Sequence, residues 1–89
     1  MTHYMRRYPY PLNCVPAEQF DGTYESVQRI CSLTKWTLYL TLSPGRLQVH
    51  VFDDGGEPLP IGVWFVCRDG ETYIFTDEAF RSEYNVEGA

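Results

Sequence analysis

The sequence predicts an α+β domain: an antiparallel sheet of four to five strands with one longer helix and one short C-terminal helix. Three observations carry this. Gly62 to Tyr84, GVWFVCRDGETYIFTDEAFRSEY, reads as a strand, a tight turn, a second strand and a capped helix with no slack between them. Trp36–Leu42 and Leu47–Val51 alternate apolar and polar residues on either side of a Pro-Gly turn. Between Thr23 and Leu33 the apolar residues instead recur at helical spacing. Runs joined by tight turns pair antiparallel, and the helices are expected against one face of the sheet.

Taken in order, residues 1–13 are rich in tyrosine and proline: Tyr4, Tyr8, Pro9, Tyr10 and Pro11. The prolines discourage a helix. This is an extended arm outside the single domain of residues 14–89, either lying along the body through its tyrosines or mobile. Cys14 to Phe20 suits a short strand, and Pro16 argues for an edge position because it lacks an N–H for the ladder. Thr23 caps a helix over Tyr24 to Leu33, with Ser26 a weak echo of a capping box. Tyr24, Val27, Ile30 and Cys31 form its apolar stripe, opposite Glu25, Gln28 and Arg29.

Trp36, Leu38, Leu40 and Leu42 should face inward from the next strand. Ser43-Pro44-Gly45-Arg46 has the chemistry of a type II turn, and Leu47, Val49 and Val51 return as the partner strand. Asp53 to Ile61, DDGGEPLPI, is an acidic loop and the longest connection in the core of the chain. Val63 to Cys67 is apolar on both faces, as for a strand covered on two sides. Asp69-Gly70 tolerates the positive φ values of a type I′ hairpin, and Thr72 to Phe75 is the returning strand. Thr76 caps the last helix, with Asp77 and Glu78 at its positive end.

Eighty-nine residues make one domain with one core, and seven Tyr, five Phe and two Trp can fill it. No run of 18 apolar residues suits a membrane span, and no apolar stretch follows Arg6 and Arg7 as in a secretory signal. Cys14, Cys31 and Cys67 are odd in number and widely spaced, which suggests reduced, mostly buried thiols in a cytoplasmic protein. The net charge is −5 and uneven. Residues 53–89 hold two basic and nine acidic side chains, a net −7. Such a balance disfavours direct nucleic-acid binding and permits docking on a basic protein surface, including one that ordinarily holds nucleic acid. The plainer account of the same charge is a solvated acidic face that maintains solubility.

Several residues resemble a family. Ala17-Glu18-Gln19-Phe20-Asp21-Gly22, Gly62-Val63-Trp64-Phe65-Val66, Asp69-Gly70-Glu71 followed by Tyr73, and Phe80 followed by Tyr84 resemble a family of small proteins of tailed bacteriophages and prophages. Its members commonly open with A-x-Q-F-x-G before a helix and end with a P-G-D-W-I-V … D-G-E-x-Y … F-x-x-x-Y pattern. The resemblance covers about residues 14–86. Val63 stands in place of the usual Asp, Asn85-Val86 in place of the usual Glu-Pro-Val, and the tyrosine arm lies outside the pattern. The resemblance implies a phage-encoded intracellular α+β protein. The family has no established catalytic residues to carry over.

No catalytic constellation stands out. His50 lies on the polar face of its strand without a motif partner and reads as an exposed strand histidine rather than a general base; His3 has weaker claims. Cys14, Cys31, Cys67, His3 and His50 lack the paired spacing of a zinc site. Asp53-Asp54-Gly55-Gly56-Glu57 lacks the alternating ligands and distal Glu of a calcium loop, and Gly55-Gly56 lacks the Lys and Ser/Thr of a phosphate loop. Neither metal nor cofactor is expected. Trp64 and Phe65 point to opposite faces of one strand, so one of them is either covered by the arm or exposed as an anchor for a partner. These features suggest a non-enzymatic phage protein that inhibits a bacterial host protein or defence complex by occluding a basic surface. Asp53, Asp54, Glu57, Asp69 and Glu71 would supply the charge, and Trp64, Tyr8 and Tyr10 the apolar contacts. The alternative is a phage structural or assembly module that self-associates, as a homodimer or ring, through the Trp64 strand or the arm. A small enzyme is the third class.

Overall fold

A computed structural model describes residues 2–6, 14–43, 46–51 and 57–85. The elements are β1 (Thr2–Arg6), β2 (Cys14–Gln19), α1 (Tyr24–Thr34), β3 (Tyr39–Ser43), β4 (Arg46–His50), β5 (Trp64–Arg68), β6 (Glu71–Phe75), α2 (Asp77–Glu83) and β7 (Tyr84–Asn85). The fold is α+β. Four strands of five or six residues and the two-residue β7 form an antiparallel sheet in the order β6-β5-β2-β1-β7. Among the described residues β3 and β4 pair only with each other, as a separate hairpin.

The β5–β6 hairpin is the one the sequence predicts. Arg68 faces Glu71 across the two-residue turn, and both turn residues hold positive φ, 54° at Asp69 and 77° at Gly70. Asp-Gly meets this requirement because Asp tolerates the left-handed region and Gly has no Cβ to clash. The Thr76 hydroxyl accepts the Ala79 amide and begins α2. The Thr23 hydroxyl likewise accepts the Ser26 amide at the start of α1, while the buried Ser26 hydroxyl donates back to the Thr23 carbonyl. α1 ends at Thr34, where Lys35 takes the left-handed conformation at φ 63° and its amide meets the Cys31 carbonyl.

Four expectations are corrected. First, the two helices lie on opposite faces of the sheet. Phe65 joins Val27 and Ile30 of α1 in one cluster, completed by Phe20, Leu38, Val49 and Val63. Trp64 and Val66 join Phe80 of α2 in the other, with Val15, Ala17 and Tyr84. Strand alternation sends neighbouring residues of β5 to opposite sides, so its unbroken apolar run needs a cover on each.

Second, the start of the arm lies along the body through Tyr4, as one of its two readings had it, but as a strand of the sheet rather than outside the domain. β1 pairs with β2 from Thr2↔Ala17 to Met5↔Cys14 and with β7 at Met5↔Asn85 and Arg6↔Tyr84. Tyr4 lies edge-on to Trp64 and to Phe80, with centroids 5.2 and 5.3 Å away. Residues 7–13 lie outside the described residues. Third, β2 is interior rather than an edge. Phe20 donates its amide to the Val63 carbonyl, and alternation then turns residue 16 toward β5 as well. Pairing with β5 ends at Ala17, so the missing N–H of Pro16 leaves no ladder bond unmade.

Fourth, the strand expected from Trp36 begins only at Tyr39, because the chain leaves α1 through Lys35 and needs residues 35–38 to turn. Leu38 is buried, but Trp36 and Leu40 are 36% and 40% exposed. The turn at Pro44-Gly45 lies outside the described residues.

Candidate functional site

Asp77 is the polar junction of the α2 face. Its Oδ1 accepts from Trp64 Nε1 at 2.9 Å, from Gln19 Nε2 at 3.3 Å and from Arg81 Nε at 3.1 Å. Arg81 Nε also lies 3.0 Å from Oδ2. The Trp64 hydrogen bond, then Arg81, hold the Asp77 carboxyl below the usual carboxylate range. Of the two readings of Trp64, covered by the arm or exposed as an anchor, the structure shows the covered one, and Trp64 is no exposed contact for a partner. The side chain is 3% exposed, stacked on Phe80 with ring centroids 3.9 Å apart and covered by Tyr4. An indole this large finds enough area to bury between β1 and α2, and its N–H finds an acceptor.

The arginines with described side chains are all committed. Arg29 lies 3.3 Å from Glu18 and 3.7 Å from Asp21. Arg68 lies 2.7 Å from both Glu83 Oε1 and the Tyr84 hydroxyl, which raises its pKa further, and its guanidinium sits 4.6 Å over the Tyr73 ring. Arg81 is held by Asp77. Among the described residues, Glu57, Asp69, Glu71 and Glu78 are exposed and carry no ion pair. Glu71 accepts the Tyr73 hydroxyl at 2.9 Å, a bond that raises the Tyr73 pKa. The surface charge that remains over β6 and α2 is therefore negative.

Of the anticipated site residues, Asp69 and Glu71 come together at the β5–β6 turn, and Glu57 stands exposed on the segment leading to β5. Asp53, Asp54, Tyr8 and Tyr10 lie outside the described residues. His50 is not exposed: it is 7% accessible, Nε2 meets Thr41 Oγ1 at 3.1 Å, and Nδ1 is buried with no partner among the described residues. Val49 beside it is buried too, so β4 is covered on both faces and alternation misassigned the histidine. The cysteines are free, Cys31 and Cys67 half-buried and Cys14 exposed, contrary to the expected burial. The sequence places Glu78 at the start of the last helix, but only the net acidity of residues 53–89 points to a surface role for it; Ile74 and the half-exposed Glu18–Arg29 pair carry no local signal.

A cleft of about 320 Å³ between α1 and β2 is lined by Glu18, Glu25, Gln28, Arg29 and Ser32. Another of about 370 Å³ is bounded by Phe20, Leu47, Pro58 and Ile61. His50 lines neither of the two. Among the described residues no three His, Cys, Asp or Glu side chains gather as metal ligands, and no helix is long and apolar enough to cross a membrane. Compared with protein-family models, with curated proteins and with solved structures, the chain matches none.

Proposed function

We propose that this chain is a non-enzymatic binding protein that docks its acidic surface on a basic surface of a bacterial host protein and blocks it. The observation that carries this is the uneven use of charge. Arg29, Arg68 and Arg81 are each paired with carboxylates of the fold, whereas Glu57, Asp69, Glu71 and Glu78 face solvent with no cation partner among the described residues. Exposed like charges repel one another and attract a complementary surface, raising the rate of encounter. The resemblance of residues 14–86 to small proteins of tailed phages supports a phage origin and action in the bacterial cytoplasm. Targets of the right chemistry are basic grooves that ordinarily hold nucleic acid, in an RNA-guided defence complex, another defence factor or the transcription machinery.

The test is affinity capture from bacterial lysate at low salt, with the bound protein identified by mass spectrometry. A stoichiometric basic partner, released as salt rises, is expected. Joint replacement of Asp69, Glu71 and Glu78 by Lys should abolish capture; reversal of Asp53, Asp54 and Glu57 reports separately on the acidic loop. No stoichiometric partner, or one indifferent to both reversals, sinks the proposal. Self-association as an assembly module is the second function class, supported by Trp36, Tyr39 and Leu40, exposed by 36%, 40% and 40% at and before the β3–β4 hairpin. A concentration-dependent mass in sedimentation equilibrium would favour it.

A further inference from the structure

One edge of the sheet is β6, a five-residue strand at the end of the order β6-β5-β2-β1-β7 opposite the two-residue β7. Which of its main-chain groups face outward follows from the ladder. Phe20 donates its amide to Val63, so on β5 the main-chain groups of Phe65 and Cys67 turn toward β2. Those of Trp64, Val66 and Arg68 turn toward β6 and meet Phe75, Tyr73 and Glu71. The N–H and C=O groups of Thr72 and Ile74 therefore point away from the sheet, and no described strand pairs with them. Natural edges are usually blunted by a proline, a bulge or a central lysine. β6, Glu71-Thr72-Tyr73-Ile74-Phe75, has none of these, and Ile74 stands 44% exposed with Phe65 fully buried behind it.

We infer that β6 is a strand-addition site for an extended basic segment of the partner protein, a conclusion that rests on the acidic-docking reading above and specifies how the docking is made. Charge selects the occupant. Asp69 and Glu71 flank one end of the edge, and Glu78, in the first turn of α2, flanks the other; all three are exposed. Two copies of β6 paired antiparallel about Tyr73 would set Asp69 and Glu71 of one copy beside Glu78 of the other, like charge on like charge. A segment with Lys or Arg at both ends and an apolar residue beside Ile74 meets opposite charge at each end. It also completes four main-chain hydrogen bonding positions at Thr72 and Ile74.

The test uses the full chain and a capped seven-residue peptide of alternating lysine and valine, with its glutamate–valine counterpart as control. Amide hydrogen exchange is followed residue by residue at low salt. The lysine peptide should slow exchange at Thr72 and Ile74, and the glutamate peptide should not. Ile74→Pro removes an outward N–H that makes no bond within the sheet, so it should fold and bind the lysine peptide roughly tenfold or more weakly. Ile74→Thr, which keeps the N–H and the branched side chain, should retain most of the binding. Should the proline variant fail to fold, the exchange pattern of the unmodified chain still decides.

Peptide binding without protection at Thr72 and Ile74 overturns the inference. So does equal binding of the two peptides, or a dimer in sedimentation that Ile74→Pro dissolves, which gives the edge to a second copy. A lysate partner lost on reversal of the acids but retained by Ile74→Pro leaves acidic docking standing and removes strand addition. A partner retained after reversal removes the docking itself.

Discussion

At the scale of single residues, the α2 face is held by an aromatic stack with one polar pin. Trp64, Phe80 and Tyr84 stack in series, with centroids 3.9 and 4.7 Å apart, and Phe80 is fully buried. Phe80→Ala should cost about 3–5 kcal/mol in urea unfolding, the usual range for an aromatic deleted from a core. Asp77 pins the stack to β2 through Gln19, and its carboxyl pKa is lowered from 3.8. A lowered native pKa stabilises the fold when the group is ionised. The contribution is complete above the ordinary value and is lost as pH falls through the native one. Asp77→Asn should therefore flatten the decline in stability measured on acidification below about pH 4. Its effect is softened because the carboxylate is 43% exposed and screened by solvent.

The caps decide where the helices begin and end. The Thr23 hydroxyl satisfies the Ser26 amide at 3.1 Å, so Thr23→Ala should cost about 1 kcal/mol, read as a lower midpoint of denaturation. At the other end of α1 the left-handed position is held by Lys35, a residue with a Cβ, at φ 63°. Lys35→Gly relieves that strain and should raise stability by about 0.5–1 kcal/mol in the same measurement. Gly22 has the opposite character: φ is 89°, and a Cβ there would stand 3.1 Å from Ile61 Cδ1. The β5–β6 hairpin and α2 were legible because their signals are local, with Asp69-Gly70 dictating a turn and Thr76 a cap. The β3 strand was not, since its true start depends on how the chain leaves α1.

For the molecule as a whole, β1 is the element that joins the two ends of the chain. It lies between β2 and β7 and lays Tyr4 over Trp64 and Phe80. Deleting residues 1–6 should lower stability by at least about 3 kcal/mol, through loss of two ladders and exposure of the stack. The change should be visible as a shift in Trp64 fluorescence and an earlier urea midpoint. An arm outside the domain would leave both unchanged.

The sequence by itself determined the fold class, the β5–β6 hairpin, both helix caps and the acidity of residues 53–89. Each of these is written in neighbouring residues or in composition, where turn chemistry, capping and charge act over short range. Only the tertiary structure decided that the helices take opposite faces, that Thr2–Arg6 completes the sheet, and that Trp64 is covered while Ile74 stands open on the edge. It also decided that Arg29, Arg68 and Arg81 pair with carboxylates of the fold, leaving Asp69, Glu71 and Glu78 exposed near β6. Those outcomes depend on which distant segments meet. Alternation in β5 requires two covers without naming them, and a carboxylate in the sequence does not disclose whether an arginine far along the chain will reach it.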